Sequence, residues 1–553
     1  MRVHIRPRTH QCRSVVLALA VALSSTGVAG AVTSRHQPGG PIYGGTLRIA
    51  YSSDMATLDP AQAVAEDWYP INDELFNGIY QFDRAGRPQL DLAAAPPTIS
   101  ADRTIWTFRL RAGVLFHNGT ELTAGDVKFS LMRVLDPHLK PAASWGQTSD
   151  APLFRGGQAF VAGKAADVSG IQVLGRYSIR FALVRPVAIF PSILASSYNF
   201  IVPRAVVTKE SADSFASHPI GTGPFKLVSW QKGSQLVFVR NAHYFHAGRP
   251  YLDGVILYTN LTSSIIALKV EHGDIQGVGS VTDLGAADIQ GARSDPRYAP
   301  YLVEAPPTFG AWLDLNTQAG PLANPLLRQA VAMAIDRRRL IRLRGGNATP
   351  AAQLYIPLDT QHDLGLQQHP SYPHDPQRAA ALVKASGYHG QPLVFLYMND
   401  YAVATSMAPG IQQELQQIGL SVTLRGVSTT TLNSLIGSPT GHDINFGYWG
   451  VDFPDAYDVY AGVMSCAPNA PGGLSGAHYC DQAADNLVNT AETLPLGASR
   501  DALLRQAQIR ILRSAAKVPL VFPKSIVMAS PKVGGFYFEP LFGWQVENYW
   551  LKR

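Results

Sequence analysis

Strand-like and helix-like hydrophobic patterns alternate along this chain. Residues 104–111 alternate apolar with polar side chains, which predicts a half-buried strand. Residues 324–343 instead place apolar side chains at spacings of three and four, which is typical of an amphipathic helix. Because such strands and helices recur throughout the chain, the pattern predicts an α/β fold.

The same patterns predict further elements on both sides of these two. The predicted strands are 44–51, 104–111, 179–183, 226–230, 235–240, 255–258, 308–315, 392–397, 420–425, 444–448, 519–523 and 526–528. The predicted helices are 68–79, 123–135, 324–343, 375–386, 408–418, 482–493 and 499–512. Arg337, Arg338 and Arg339 fall near the end of helix 324–343, where they would complement the helix dipole. We therefore predict a solvated helix end there rather than a binding patch.

Length and composition indicate a globular protein with more than one core. The chain has 553 residues, of which 46% are hydrophobic and 16% charged. A single hydrophobic core rarely extends over so long a chain, so we expect at least two lobes.

Residues 1–31 have the pattern of an export signal. A basic start is followed by an apolar run, Val15 to Leu23, and by the small residues Ala29 to Ala31. Cleavage would remove four positive charges and reduce the net charge from +6 to +2, so the basic balance does not imply a nucleic-acid partner. An uncleaved membrane anchor is the alternative. Residues 32–43 are predicted to form a flexible leader.

Two cysteines, Cys466 and Cys480, remain after this predicted cleavage. An even number of cysteines in an exported chain favours a disulfide that closes the loop between them. Coordination of a metal by the two thiolates is the weaker alternative, because His478 is the only other ligand type nearby and the CxxC spacing is absent. Cys12 precedes the apolar run and so cannot be the lipidated residue of a lipoprotein signal.

The stretch from Asp443 to Asp455 is a candidate ligand platform. A short apolar strand, residues 444–448, leads to Trp449 and then to Asp452 in an aromatic setting. A carboxylate in a partly desolvated place can hold an ammonium group tightly. The alternative is an ordinary strand end, with Asp455 capping the element that follows.

No catalytic or cofactor-binding motif is present. The sequence contains no HExxH, no phosphate-binding loop and no nucleophile elbow, since residues 473–477 resemble GxSxG but end in alanine. We therefore predict no catalytic residues, no metal, no cofactor and no enzymatic activity.

Several blocks, in order, resemble one protein family. They are a GGTL strand with a later LDP in residues 44–60, TFRLRAGVLFHNGTELTAGDVKFSL in 107–131, PIGTGPF in 219–225, RNAHYF in 240–245, the RQA and AIDR segments of 328–337, and residues 372–388. On these motifs the chain resembles the extracytoplasmic solute-binding proteins of ABC importers, in the peptide- and nickel-binding family 5.

This resemblance implies an α/β, two-lobed periplasmic-binding-protein fold with a hinge and an extra subdomain inserted in the first lobe. The implied divisions are 44–306 for lobe 1, about 80–210 for the inserted subdomain, 307–515 for lobe 2 and 516–553 for a return to lobe 1.

The resemblance also implies site residues. Trp449 to Asp452 match the W-x-x-D segment of the family, whose aspartate pairs with the α-ammonium group of a peptide, so Asp452 is the expected ligand anchor with Tyr448 and Trp449 as walls. Arg344 is the candidate for binding the peptide carboxylate. The cysteine pair resembles a disulfide loop of dipeptide-binding members.

The implied function is the capture of short peptides in an interlobe cleft and their delivery to a membrane permease and its ATPase. We expect an exported monomer that faces the periplasm or the outer side of the cytoplasmic membrane. Three alternatives remain: a non-peptide ligand such as a nickel chelate, an opine-like compound or an oligosaccharide; an exported hydrolase that uses Asp452 and a histidine; and a peptide sensor or chaperone.

Overall fold

The computed structural model describes residues 40–62, 69–139, 146, 150–210, 212–280, 284–356, 371–470, 472–539, 541 and 543–552. The predicted export signal and residues 32–39 of the predicted leader lie outside the described residues.

The strands of the described residues are, in chain order, β1 Thr46–Ala50, β2 Tyr80–Phe82, β3 Pro88–Leu90, β4 Thr98–Ile99, β5 Ile105–Arg109, β6 Ile171–Gly175, β7 Ser178–Ala182, β8 Phe225–Gln231, β9 Gln235–Arg240, β10 Gly254–Tyr258, β11 Gly277–Val278, β12 Leu302–Ala305, β13 Phe309–Leu315, β14 Ala348–Pro350, β15 Leu393–Met398, β16 Val422–Val427, β17 Ile444–Gly450, β18 Lys517–Pro523, β19 Ser525–Met528, β20 Val533–Gly534, β21 Phe538–Glu539, β22 Gly543–Trp544 and β23 Trp550–Leu551.

The α-helices of the same residues are α1 Tyr69–Leu75, α2 Ala124–Val134, α3 Gly157–Val161, α4 Phe190–Ala195, α5 Arg204–Val207, α6 Ala212–Ser217, α7 Ser263–His272, α8 Ala286–Ser294, α9 Pro325–Ala334, α10 Arg337–Leu343, α11 Pro376–Ala385, α12 Ala402–Gln417, α13 Thr429–Ile436, α14 Ala456–Val459, α15 Gln482–Thr493 and α16 Ala498–Ser514. A single π-helical turn, Tyr460–Met464, follows α14.

Two mixed sheets, of five and six strands, are the largest among the described residues. One has the strand order β11-β1-β10-β9-β8, with β1 parallel to β10 and β9 antiparallel to it. The other has the order β14-β18-β13-β17-β15-β16, with β17 antiparallel to β13 and parallel to β15. A smaller antiparallel sheet has the order β4-β5-β7-β6. This alternation of helices with mixed sheets confirms the predicted α/β class.

Three large hydrophobic cores form among the described residues. The first lies on the five-stranded sheet and draws its side chains from the ranges 47–76, 200–305 and 526–549. The second lies on the six-stranded sheet and draws on 311–446 and 515–521. The third joins 79–201 to 451–464 and 484–512, and also includes Trp312, side chains from 351–356, Phe522 and Leu541. The predicted lobe boundaries at 306 and 515 and the inserted subdomain at about 80–210 stay predictions.

Residues near the end of the chain complete the first core. The indole of Trp544 is fully buried and donates a hydrogen bond to the carbonyl oxygen of Val278 at 2.7 Å. The backbone nitrogen of Val546 donates to the carboxylate of Glu74, also at 2.7 Å. The first core therefore needs side chains that lie almost 500 residues apart in the sequence.

The prediction of a single helix over 324–343 is wrong in one respect. The chain forms two helices there, α9 and α10. The backbone is extended at Ile335 and Asp336, and Asp336 caps α10 by accepting hydrogen bonds from the backbone nitrogens of Arg338 and Arg339 at 3.0 and 3.1 Å. The arginines therefore open a helix instead of ending one, and the predicted match to the helix dipole is wrong.

The predicted solvation of these arginines is also wrong for Arg337. Its Nε donates to the carbonyl oxygens of Ala351 and Pro519 at 2.7 and 2.9 Å. Burial lowers the pKa of this guanidinium to about 10. Arg337 is thus a structural side chain that links α10 to β18.

Candidate functional site

The predicted ligand platform begins on β17, in the middle of the six-stranded sheet. Over its whole length β17 pairs with β13. Gly447 lies directly against the indole of Trp312, since a Cβ atom at residue 447 would stand 2.2 Å from the indole nitrogen. A glycine is required here because a larger side chain would displace Trp312, which is buried and bonded to Asp314.

The end of β17 turns immediately into a capped helix. Just after β17, the backbone nitrogen of Val451 donates a hydrogen bond to the carbonyl oxygen of Thr308, the residue before β13, at 3.0 Å. Asp455 then caps α14, since its side chain accepts from the backbone nitrogen of Tyr457 at 2.8 Å. Asp455 therefore caps the next element, as the alternative of an ordinary strand end had it, and the turn leaves Asp452 between a strand end and a helix start.

Asp458 holds Asp452 and Trp449 together. One oxygen of its carboxylate, Oδ2, accepts from the Trp449 indole nitrogen at 3.0 Å and from the backbone nitrogen of Asp452 at 3.1 Å. Asp458 is fully buried, whereas Asp452 is half-buried. Gly462 flanks the same indole so closely that a Cβ atom there would meet it at 2.5 Å. The structure thus brings together two of the predicted site residues, Asp452 and Trp449.

Tyr448 lies on the face of β17 opposite to that of Trp449. Consecutive side chains of a strand point to opposite faces, and Tyr448 packs on the second core while Trp449 packs on the third. The ring centroid of Tyr448 is 5.1 Å from that of Tyr401, and Tyr401 in turn interacts electrostatically with Arg344. Arg344 is half-buried at the end of α10, and burial lowers its pKa.

Two residues from an earlier part of the chain complete the surroundings of Asp452. Asp150 is only 3% exposed and Tyr198 only 4% exposed. The amide of Asn199 donates to the Asp150 carboxylate at 3.2 Å. We call Asp150, Asp452 and Asp458 the acidic site, because the charge of Asp452 acts on each of the other two.

Burial and mutual repulsion raise the pKa values of these carboxyl groups. Burial, with a further contribution from Asp452, raises the pKa of Asp150 to about 7 against the opposing hydrogen bond from Asn199. Burial and the charge of Asp452 likewise raise the pKa of Asp458 well above its usual value. Burial and then the three carboxylates raise the pKa of Tyr198. The site is therefore electrostatically unfavourable to anions and favourable to cations.

A buried ion network stands behind this site. Arg500 of α16 is fully buried and donates to Asp455 at 2.9 and 2.7 Å and to Glu492 of α15 at 2.5 Å. Burial raises the pKa of Glu492 to about 7 although Arg500 opposes the shift. The network fixes the turn that carries Asp452 to two long helices.

The loop after α14 is closed by a disulfide. Cys466 and Cys480 are bonded to each other, so the predicted bridge is present and the alternative of metal-ligating thiolates is wrong. The backbone nitrogen of Cys466 also donates to Asp485 of α15 at 3.2 Å. The bridge therefore anchors this loop beside the helix that supplies Glu492.

Sequence reasoning missed Asp458, Asp150 and Tyr198. Asp458 stands three residues after the cap at Asp455, and that spacing was the one local signal that it shares a turn with the platform. Asp150 and Tyr198 lie more than 250 residues before Asp452, and no local pattern marks them. Their neighbours Ala151 and Ala195 share the third core with Val451, and Tyr198 itself packs with Ala61 and Val134.

Comparison with known proteins gives a consistent result. The model of the bacterial extracellular solute-binding proteins, family 5, matches residues 87–471. A relative named probable di/tripeptide-binding protein 5 from Pseudomonas aeruginosa is 28% identical over 493 residues, which cover 86% of this chain and 89% of that protein. The glutathione-binding protein GsiB of Escherichia coli O157:H7 is 23% identical over 515 residues, covering 90% and 93%.

Solved structures share the fold. The periplasmic binding protein DppA from Helicobacter pylori, in complex with the peptide STSA, superposes with a TM-score of 0.78 at 26% identity, covering 93% of this chain and 99% of that one. The clavulanic acid biosynthesis oligopeptide-binding protein 2 gives a TM-score of 0.83 at 24% identity, covering 93% and 96%. The predicted two-lobed periplasmic-binding-protein fold is thereby confirmed.

Proposed function

The chain belongs to the bacterial extracellular solute-binding proteins of family 5, as its motifs predicted, and on that basis we propose that it captures short peptides for an ABC import system. In this proposal Asp452 binds the free α-ammonium group of the peptide. The observation that carries it is the acidic site. In the described part of the chain no lysine or arginine forms an ion pair with Asp150 or Asp458, and one oxygen of buried Asp458 accepts no hydrogen bond.

A bound ammonium group would supply the missing positive charge. A buried carboxylate is stabilised by a hydrogen-bonded cation and is otherwise costly to keep ionised. The indole of Trp449 would form one wall of the ammonium site, since Asp458 fixes its ring beside Asp452. The peptide backbone would be held by hydrogen bonds in the manner of an added strand, which tolerates many side chains.

The other end of the peptide is assigned to Arg344. This arginine would receive the carboxylate, with Tyr448 and Tyr401 as the adjoining aromatic surface. The Nε of Arg344 is buried and donates no hydrogen bond to any of the described residues. An arginine with spare donors suits a carboxylate, because the guanidinium can bind both of its oxygens.

Capture and delivery would follow from movement of the lobes. We assign lobe 1 to residues 44–306 with the return at 516–553, and lobe 2 to residues 307–515. A ligand that contacts both lobes favours the closed state over the open one. The closed, ligand-bound monomer would then be presented to the permease and ATPase, and the protein would carry out no chemistry on the peptide.

The proposed place of action is outside the cytoplasmic membrane. The chain belongs to a family of extracellular proteins, and within the described ranges no helix has the length and apolar character needed to cross a bilayer. Export would depend on the signal predicted in residues 1–31.

A thermal-shift screen of the purified protein tests the proposal. The ligands are di- to pentapeptides, their N-acetylated forms, nickel chelates and oligosaccharides. A ligand present at a hundredfold its dissociation constant stabilises the folded state by about 2.7 kcal/mol. We expect stabilisation by free peptides and little by acetylated ones. Equal stabilisation by both would remove the ammonium assignment, and a response to the chelates or sugars alone would replace the peptide by that ligand class.

A further inference from the structure

The carbonyl end of α15 is completed by a distant part of the chain. The last four carbonyl groups of an α-helix have no partner within the helix backbone. In α15 two of them find partners nearby, since the carbonyl oxygen of Thr490 accepts from the Thr493 hydroxyl at 2.8 Å and that of Ala491 accepts from the backbone nitrogen of Leu494 at 3.0 Å. The other two, those of Glu492 and Thr493, accept from outside the helix.

Two residues of the region predicted as the inserted subdomain supply these outer partners. The backbone nitrogen of Ala188 donates to the carbonyl oxygen of Glu492 at 3.4 Å, and the guanidinium of Arg103 donates to the carbonyl oxygen of Thr493. Arg103 also places a positive charge at the end of α15 where the helix dipole is negative, and a charge-assisted hydrogen bond is stronger than a neutral one. Arg103 thereby joins segments that are 390 positions apart in the sequence.

The backbone at Arg103 has a conformation that residues other than glycine rarely adopt. Its φ is +57°, in the turn between β4 and β5. The backbone nitrogen of Arg103 donates to the carbonyl oxygen of Ser100 at 2.8 Å, and the carboxylate of Asp102 accepts from the backbone nitrogen and the hydroxyl of Thr104 at 3.2 and 2.9 Å. The turn is therefore held rigidly in an unfavourable conformation, and such conformations concentrate where a side chain has a function.

The same end of α15 is connected to the ligand site by hydrogen bonds. The side chain of Glu492 accepts from Arg500, which also binds Asp455. Asp455 caps α14, the helix that carries Asp458. Asp458 in turn accepts from the backbone nitrogen of Asp452 at 3.1 Å. A contact at the end of α15 therefore bears on the element that positions Asp452.

We propose that Arg103 is a latch that holds the inserted subdomain against lobe 2 in the ligand-bound state and thereby sets the rate at which the ligand leaves. The inference rests on the proposed function, because it uses the movement of the lobes. Opening would replace the bond from Arg103 to α15 by bonds to water, so the bond favours the closed state over the open one. Arg103 acts through α15, and it is therefore a positioning residue.

The test compares the release of trialanine from the wild type and from Arg103→Asn. Asparagine tolerates a positive φ and so preserves the turn, but its short neutral side chain replaces the guanidinium. Calorimetry measures the dissociation constant, and stopped-flow fluorescence measures the release rate. We expect the variant to bind about tenfold more weakly, on the scale of one charge-assisted hydrogen bond. Nearly all of the change should lie in a faster release.

Two further variants separate the latch from general effects on the fold. Arg103→Lys keeps a cationic donor of similar reach and should bind within about threefold of the wild type. Arg176→Asn is the matched control, because Arg176 lies in another hairpin turn of the same sheet, is 59% exposed and pairs with Glu121. It should release trialanine at the wild-type rate.

Hydrogen exchange at Ala188 provides a readout that needs no ligand. The Ala188 amide makes the second hydrogen bond to the end of α15, so its exchange reports how often the two regions separate. Exchange is followed without ligand in peptic fragments that contain Ala188. Arg103→Asn should accelerate this exchange by at least about threefold, whereas Arg176→Asn should leave it unchanged.

The outcomes distinguish the latch from the proposed function. Equal release rates from the wild type and Arg103→Asn overturn the latch and leave peptide capture intact. A loss of affinity that Arg103→Lys does not restore also overturns it, because the loss then comes from the turn and not from the cationic donor. Failure of trialanine to bind the wild type counts against peptide capture. Exchange at Ala188 then decides the latch by itself, and an unchanged rate in Arg103→Asn overturns it.

Discussion

Arg500 and Asp455 form a two-point ion pair inside the protein. The guanidinium of Arg500 donates to both carboxylate oxygens of Asp455, at 2.9 and 2.7 Å, and neither side chain is appreciably exposed. Asp455 in turn caps the helix that carries Asp458. The turn around Asp452 is therefore positioned by a residue of α16, almost 50 positions further along the chain.

Substitution of Arg500 by methionine should strongly destabilise the protein. It would leave the buried carboxylates of Asp455 and Glu492 without their cation, and breaking a buried pair in this way costs roughly 3 to 5 kcal/mol. Urea unfolding of the variant measures the loss. Arg510→Met is the matched control, because Arg510 lies on the same helix but pairs with Asp481 at the surface. Similar midpoints for the two variants would show that the buried network is not important for stability.

Substitution of Asp452 by asparagine should weaken the binding of free peptides. Loss of one partner of a desolvated charge pair typically costs roughly 2 to 5 kcal/mol of binding free energy. Calorimetry with free and N-acetylated peptides measures it, and the difference between these two ligands should disappear in the variant. Asp253→Asn, at an exposed carboxylate paired with Arg240, should bind like the wild type. An unchanged affinity in Asp452→Asn contradicts the ammonium assignment.

Substitution of Gly462 by alanine should disturb the site through Trp449. The added methyl group would lie 2.5 Å from the indole, and such overpacking typically costs about 1 to 3 kcal/mol. Because the displaced indole would strain its hydrogen bond to Asp458, peptide affinity should fall along with the melting temperature. Gly291→Ala in α8 is the control, since a methyl group there meets no atom within 4 Å. If Gly462→Ala retains full affinity, Trp449 is not a wall of the ligand site.

Removal of the disulfide should lower stability without changing the fold. Cys466 and Cys480 are 14 positions apart, and closing a loop of this length stabilises a protein by about 3 kcal/mol through the entropy of the unfolded chain. Urea unfolding of the Cys466→Ser, Cys480→Ser double variant measures the difference. Reductant should lower the wild-type midpoint and leave that of the variant unchanged. A reductant-sensitive variant would contradict this assignment.

Stability should also depend on pH through His246. Its ring nitrogens lie 3.2 Å from Asp91 and 3.6 Å from Glu547. Burial alone would lower its pKa, but these two carboxylates outweigh burial and raise the pKa from 6.5 to about 9. A histidine whose pKa is raised by folding stabilises the folded state fully below the unfolded pKa, and this contribution is lost as pH rises through the folded pKa.

The measurement is the unfolding free energy of the wild type and His246→Gln at pH 6, 7.5 and 9.5. The difference between them should be as large as about 3 kcal/mol at pH 6 and should shrink toward pH 9.5. His389→Gln, at an exposed position, serves as the control. A difference that does not change with pH would mean that His246 contributes through packing alone.

The local elements of the site could be predicted from the sequence, but the distant residues that surround it in space could not. Strand 444–448, the cap at Asp455 and the Cys466–Cys480 pair all depend on residues close together in the chain, and local patterns report such features well. Asp150 and Tyr198 come near Asp452 because their neighbours Ala151, Ala195 and Val451 pack in one core. Local patterns contain no information about that packing.

The break in helix 324–343 shows a different limit. Apolar spacing continues smoothly through Ile335 and Asp336, so periodicity favoured one helix. The signal that was missed is Asp336 itself, since an aspartate before a basic run can cap a new helix as well as interrupt an old one. Packing of Arg337 against β18 favours the second arrangement.

The first core has a consequence for how the protein is made. Trp544 and Tyr549 are fully buried in it, so a nascent chain several hundred residues long still lacks the side chains that close this core. Folding of that region must wait until synthesis is nearly finished. A secretory channel that threads the chain while it is still being made would consequently meet a polypeptide whose first core is incomplete.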